Sequence, residues 1–113
     1  RDNLTYAGRS SVGMLTDEER QIFVKAKEIF DNMALVRCTK CAYCMPCPAG
    51  IDIPGTFAVY NKVATDGMDR AKKEYEALEV KADACLRCRK CEKVCPQHIG
   101  ISSMMTEIQE KFE

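Results

Sequence analysis

The chain is 113 residues long and carries 17 basic and 17 acidic side chains, for a formal charge of zero. That balance argues against a nucleic acid or an anionic membrane held by bulk charge, and no apolar run approaches the length of a membrane span. Apolar residues make up 46% of the chain, but they include 8 cysteines and no tryptophan, so the hydrocarbon core is thin and something else helps to hold the fold.

Residues 1–15 hold Gly8, Ser10, Ser11 and Gly13 and read as a polar connector from an absent upstream domain. The segment has neither a basic-then-apolar signal pattern nor a small-residue cleavage site, and a cytoplasmic location is expected. Thr16 opens "TDEE", a capping box with Glu19. Behind it Ile22, Ala26, Ile29, Phe30 and Met33 recur at helical spacing, which predicts a helix over roughly 17–36. After a first cysteine run, "GIDIPGTFAVYNKVA" sets Pro54 in a first helical turn, with Ile53, Phe57, Tyr60 and Ala64 along one side and Asp66-Gly67 as the stop. "MDRAKKEYEALEVKA" predicts a third helix with Ala71, Tyr75 and Leu78 inward. The last, "ISSMMTEIQEKF", places Met104, Ile108 and Phe112 on one face with Ser102 or Ser103 as cap. No alternating pattern is long enough for a strand. The expected fold is all-α, about four helices around two cysteine-rich loops, with residues 16–113 as one helical domain.

All eight cysteines lie in "CTKCAYCMPCP", residues 38–48, and "CLRCRKCEKVCP", residues 85–96. Each run ends in Pro, a short Ile-bearing link and a helix, and this repeat suggests a pseudo-twofold arrangement. Disulfide scaffolds belong to secreted chains, and cysteines three apart close very small rings. Zinc sites draw pairs from two separate knuckles and need no unbroken trio, although a zinc module remains the alternative. A four-iron, four-sulfide cubane is bulkier. Thiolates three apart on a helical turn have β-carbons about 5–6 Å apart, a spacing that suits its successive corners. In ferredoxins the cysteine before proline serves the other cluster. On that pattern Cys38, Cys41, Cys44 and Cys95 hold cluster one, and Cys85, Cys88, Cys91 and Cys47 hold cluster two. Pro48 and Pro96 fit it by turning the chain away from its own trio.

The segments "CTKCAYCMPCPAGIDIPGTFAVYN" and "ADACLRCRKCEKVCPQHIGI" closely resemble the C-terminal domain of iron–sulfur-containing aldo/keto reductases, and the likeness runs from about residue 15 to 113. "RDNL" at the start is similar to the segment that leaves the barrel in that family. The resemblance implies an α-helical ferredoxin-like module with two 4Fe-4S clusters, as in succinate dehydrogenase iron–sulfur subunits and heterodisulfide reductase small subunits. It also implies an upstream catalytic barrel on the same polypeptide, so no catalytic residue is assigned here. The short spacing of the first run matches this family better than bacterial ferredoxins.

The expected function is electron transfer to or from that barrel, with a redox carrier protein as a further partner and neither nucleic acid nor membrane. Alternatives are a structural metal module and a redox sensor that acts through cluster loss. Arg37, Lys40, Arg87, Arg89, Lys90 and Lys93 gather about the runs, where they offset cluster charge or form a docking patch; solvated surface cations are the plainer reading. His98 reads as a surface side chain. Tyr43, Met45, Ile51, Ile53, Ile99 and Ile101 read equally as shields for the clusters or as core, and Tyr60 and Tyr75 as core.

Overall fold

Capping side chains and a few obligatory turns decide where the helices of this protein begin and stop. The computed structural model describes all 113 residues and contains only helices, turns and loops. It divides into two units, residues 1–32 and 33–113.

In the first unit, α1 covers Asp2–Arg9, a helix where the composition of residues 1–15 suggested an irregular connector. Helix α2, Asp17–Met33, starts at the expected capping box. The Thr16 N–H donates to Glu19 Oε2 at 2.8 Å, and the Glu19 N–H donates to Thr16 Oγ1 at 3.2 Å. Neither helix buries a side chain. The apolar stripe of α2 stands open, with Ile22 64% and Phe30 71% exposed.

The second unit holds α3 (Ile53–Thr65), α4 (Met68–Glu76), a single 3-10 turn (Ala82–Ala84), the one-turn α5 (Lys90–Lys93) and α6 (Ile101–Phe112). Asp52 caps α3 by accepting the Gly55 N–H at 3.1 Å. A β-carbon on Gly55 would stand 2.2 Å from Asp52 Oδ2, so glycine is what lets the cap close. Asp66 and Gly67, the latter at φ +88°, reverse the chain into α4, and a Lys62–Glu74 ion pair ties the two helices.

One core joins the halves of this unit. Ile51, Ile53, Phe57 and Tyr60 from the first half meet Ile101, Met105, Ile108 and Phe112 of α6, with Ala71, Tyr75 and Ala82 between. Phe112 stacks on Tyr75 at 4.5 Å between centroids and meets Tyr60 edge-on at 6.1 Å. On α6 the inward residue is Met105, with Met104 half-buried, because the helix starts at Ile101 and takes its phase from that buried side chain. On α3, Ala64 is exposed and Val63 half-buried, and Leu78 lies beyond the end of α4.

Three polar contacts fix the runs that carry the cysteines. Asn61 accepts the Val36 N–H at 2.8 Å and donates to the Val36 carbonyl at 2.9 Å, which stops the α2 pattern short of its expected end and holds the approach to Cys38. Buried Tyr75 accepts the Ala82 N–H at 3.0 Å and holds the approach to Cys85. Glu92 of α5 accepts both the N–H and the hydroxyl of Ser102, at 2.8 and 2.6 Å. The expected serine cap is thus replaced: Gly100 is the N-cap residue, and a carboxylate from another element satisfies the first turn of α6.

Two predictions follow from these contacts. Replacing Asn61 by Ala orphans both peptide groups of Val36 and should cost about 2 kcal/mol, measured by denaturant unfolding. The Tyr60 phenol is pushed up to about 12 by burial, then by its 2.6 Å hydrogen bond to Glu107 and that carboxylate's charge. Its folded value lies above the unfolded value of about 10, so the stabilisation is complete below pH 10 and is lost as pH rises from 10 to 12. Tyr60→Phe should flatten the fall in thermal stability across that interval.

Candidate metal centre

The two cysteine runs share a backbone design. In the first, Lys40 and Ala42 flank Cys41 with φ of +56° and +62°; in the second, Arg87 and Arg89 flank Cys88 with φ of +51° and +56°. Left-handed torsions on ordinary residues cost about 1 kcal/mol or more each, and here they recur at matched positions on both sides of the middle cysteine. Each left-handed step turns the chain sharply, so three cysteines wrap a shared centre. The trios therefore sit on tightly turning loops and not on the helical turns expected from their spacing; Cys91 alone lies in a helix, the single turn α5.

The prolines also match. Cys47-Pro48-Ala49-Gly50 and Cys95-Pro96-Gln97-His98 are both turns closed by a backbone hydrogen bond, from the Gly50 N–H to the Cys47 carbonyl at 2.9 Å and from the His98 N–H to the Cys95 carbonyl at 3.1 Å. Gly50 and His98 end these turns in the left-handed region, at φ +77° and +51°. His98 is an exposed turn residue at the place glycine holds in the other half.

Two cavities gather the thiols. One of about 220 Å³ is lined by Cys44, Cys47, Cys85, Cys88 and Cys91. A smaller one is lined by Cys38, Cys41, Cys44 and Cys95. Each brings a trio together with the proline-linked cysteine of the opposite half. Cys44, Ile53 and Ile101 line both, so the two sites are neighbours with a common wall. Ile51 and Met45 line the larger cavity and Ile99 the smaller, so the apolar residues singled out in the sequence serve the core and the cavity walls together.

All eight cysteines are free thiols; Cys41 and Cys88 are exposed and the other six half-buried. Burial pushes the Cys44 thiol up, and the neighbouring Cys38, Cys41 and Cys95 push it further. Burial likewise raises Cys91 against the backbone hydrogen bonds from Glu92 and from Cys91 itself, and the charges of Glu92 and Cys85 add to the rise. No three Cys, His, Asp or Glu side chains converge closely enough to hold a single metal ion. Thiols arranged around a space, five about the larger cavity and four about the smaller with Cys44 common to both, suit a bulky multi-iron core whose positive irons remove both the burial penalty and the mutual repulsion. The residues present fit two such groups.

Glu92 is the contribution that spacing did not reveal. Its carboxyl is held below the usual carboxylate range by the two hydrogen bonds from Ser102 and by Arg89. It locks Cys91's neighbour to α6, a link between residues ten apart that only the fold creates.

Comparison with known proteins agrees with this chemistry. Residues 37–99 match the 4Fe-4S dicluster domain family. The chain is 33% identical over 107 residues to a probable glycolate oxidase iron-sulfur subunit of Bacillus subtilis, covering 86% of this chain and 23% of that protein. It is 31% identical over 90 residues to the acetyl-CoA decarbonylase/synthase complex subunit alpha 1 of Methanosarcina barkeri, covering 78% of this chain and 10% of the relative. The corresponding subunit of Methanosarcina mazei is 34% identical over 77 residues, covering 67% and 8%. The chain thus spans less than a quarter of the length of these curated relatives. No solved structure matches it. Because the family match extends over more than half of the chain and takes in both cysteine runs, this protein belongs to the 4Fe-4S dicluster domain family and binds two 4Fe-4S clusters.

Proposed function

We propose that the domain relays single electrons between a redox carrier and the catalytic barrel of a larger aldo/keto-reductase-like oxidoreductase in the cytoplasm. The observation that carries the relay is the shared wall: two thiol-lined sites that have Cys44, Ile53 and Ile101 in common, each with one solvent-facing cysteine. One-electron redox chemistry is what the clusters supply when bound. The chain's own part is ligation, water exclusion and electrostatics. In this reading Cys38, Cys41, Cys44 and Cys95 hold one cluster, and Cys85, Cys88, Cys91 and Cys47 hold the other. The thiol groupings of the two cavities support that partition, as does the charge interaction of Cys95 with Cys44. Residues 1–15 then lead in from the upstream domain.

The aldo/keto-reductase parentage rests on the resemblance of the two cysteine segments and their following helix starts. The relatives found are an iron-sulfur subunit and a complex subunit by name, and this favours a catalytic partner for the present domain as well. No helix is long and apolar enough to cross a membrane.

Protein prepared without oxygen should contain about eight iron and eight sulfide per chain and be brown, with absorbance that dithionite bleaches reversibly. Cys95→Ala and Cys47→Ala should each remove about half of the iron, and the double variant nearly all of it. Full iron in either single variant would refute the partition. A colourless zinc protein would refute the relay.

A further inference from the structure

The two sites differ in what surrounds their exposed cysteine. Beside Cys41 the smaller cavity is walled by Thr39, Ala42, Pro54, Gln97 and Ile99, and the exposed Lys40 next to Cys41 lies outside that wall. Beside Cys88 the larger cavity is walled by Arg87, Arg89 and Lys90, all exposed, together with Leu86, Val94 and Tyr43. Leu86 is 67% exposed, Tyr43 68% and Val94 50%. Three large apolar side chains left in water beside three cations are costly to keep in an isolated domain, and they have the anatomy of an interface: an apolar centre with a charged rim. Arg89 is engaged in part, since its guanidinium lies 4.0 Å from Glu92, whose other oxygen is held by Ser102. Arg87 and Lys90 take part in no ion pair seen in this structure.

We propose that this face is the docking surface for a small acidic electron-carrier protein, and that electrons cross there by way of the Cys88 side of the second site. The inference rests on the electron-transfer reading and adds its direction, because only at the second site do cations line the cavity mouth together with exposed apolar side chains. Charge complementarity selects the partner. Four thiolates around a cubane carry a net charge of about −2 when oxidised, and that charge repels an acidic protein. Arg87, Arg89 and Lys90 stand where such a partner must approach and offset the negative charge it meets. Leu86, Tyr43 and Val94 then supply the surface that excludes water once contact is made.

The test uses the two-cluster protein, kept free of oxygen, with an acidic plant-type [2Fe–2S] ferredoxin as probe. Two quantities are measured: the dissociation constant and the second-order rate of electron exchange, each at about 0.02 M and about 0.5 M salt. The wild type should lose at least tenfold in both on going to high salt. Arg87→Glu with Lys90→Glu should lose at least tenfold at low salt, while Lys72→Glu, on the exposed side of α4, should match the wild type. Arg87→Gln with Lys90→Gln, a milder pair, should fall between. Iron is quantified for every variant so that each rate refers to intact clusters. Binding indifferent to salt, charge-reversed protein that exchanges like the wild type, or an equal loss in Lys72→Glu would overturn the docking surface and leave the relay standing. Clusters that dithionite does not reduce would overturn both.

Discussion

Eight thiols gathered into one small helical unit form an electrostatic problem before they form a site. Each cysteine that ligates iron must give up its proton, yet Cys44 and Cys91 are half-buried and stand among further thiols that resist the charge. Positive metal between them removes burial penalty and repulsion together. The rest of the second unit can be understood as scaffolding for that arrangement: Asn61, Tyr75 and Glu92 each pin the backbone beside a cysteine run, and the core joins the halves behind them. Disulfides would have spent the thiols in pairs; here all eight stay free to turn toward the two cavities.

The internal repeat is deeper than its spelling. Lys40 and Ala42 have little in common with Arg87 and Arg89, yet the four share one backbone region around Cys41 and Cys88. Gly50 and His98 share another, after the two prolines. Two unlike stretches have thus arrived at one set of torsions, as happens when the object they enclose dictates the path. The halves part company at the surface. One walls its cavity with uncharged side chains, the other with a cationic rim and exposed apolar residues inside it. Symmetry in the ligand loops with asymmetry outside them suits the proposed relay with two different neighbours.

Much of this was legible in the residues. Cysteine spacing led to the cofactor, and prolines after Cys47 and Cys95 suggested the exchange between halves that is proposed above. Local signals also served well: the Thr16–Glu19 box, the start of α3 at Pro54 and its stop at Asp66-Gly67 all lie where short-range chemistry put them. What stayed hidden was non-local or imposed. The grip of Asn61 on Val36 spans 25 residues, and no composition announces it. Glu92 caps a helix it does not belong to. Lysine, alanine and arginine have no taste for left-handed torsions, so nothing in their identity could disclose the loop shape. The apolar stripe of α2 is helical as its period required, but periodicity says nothing about what covers it, and its side chains are exposed.

One further consequence comes from the middle cysteine of each trio. Six thiols are half-buried, while Cys41 and Cys88 reach solvent. A corner open enough to hand on charge is open enough to admit small oxidants, and sulfur at such a corner is the first to climb toward sulfenic acid. In the proposed relay, durability in air and speed of exchange thus meet at the same two sulfur atoms.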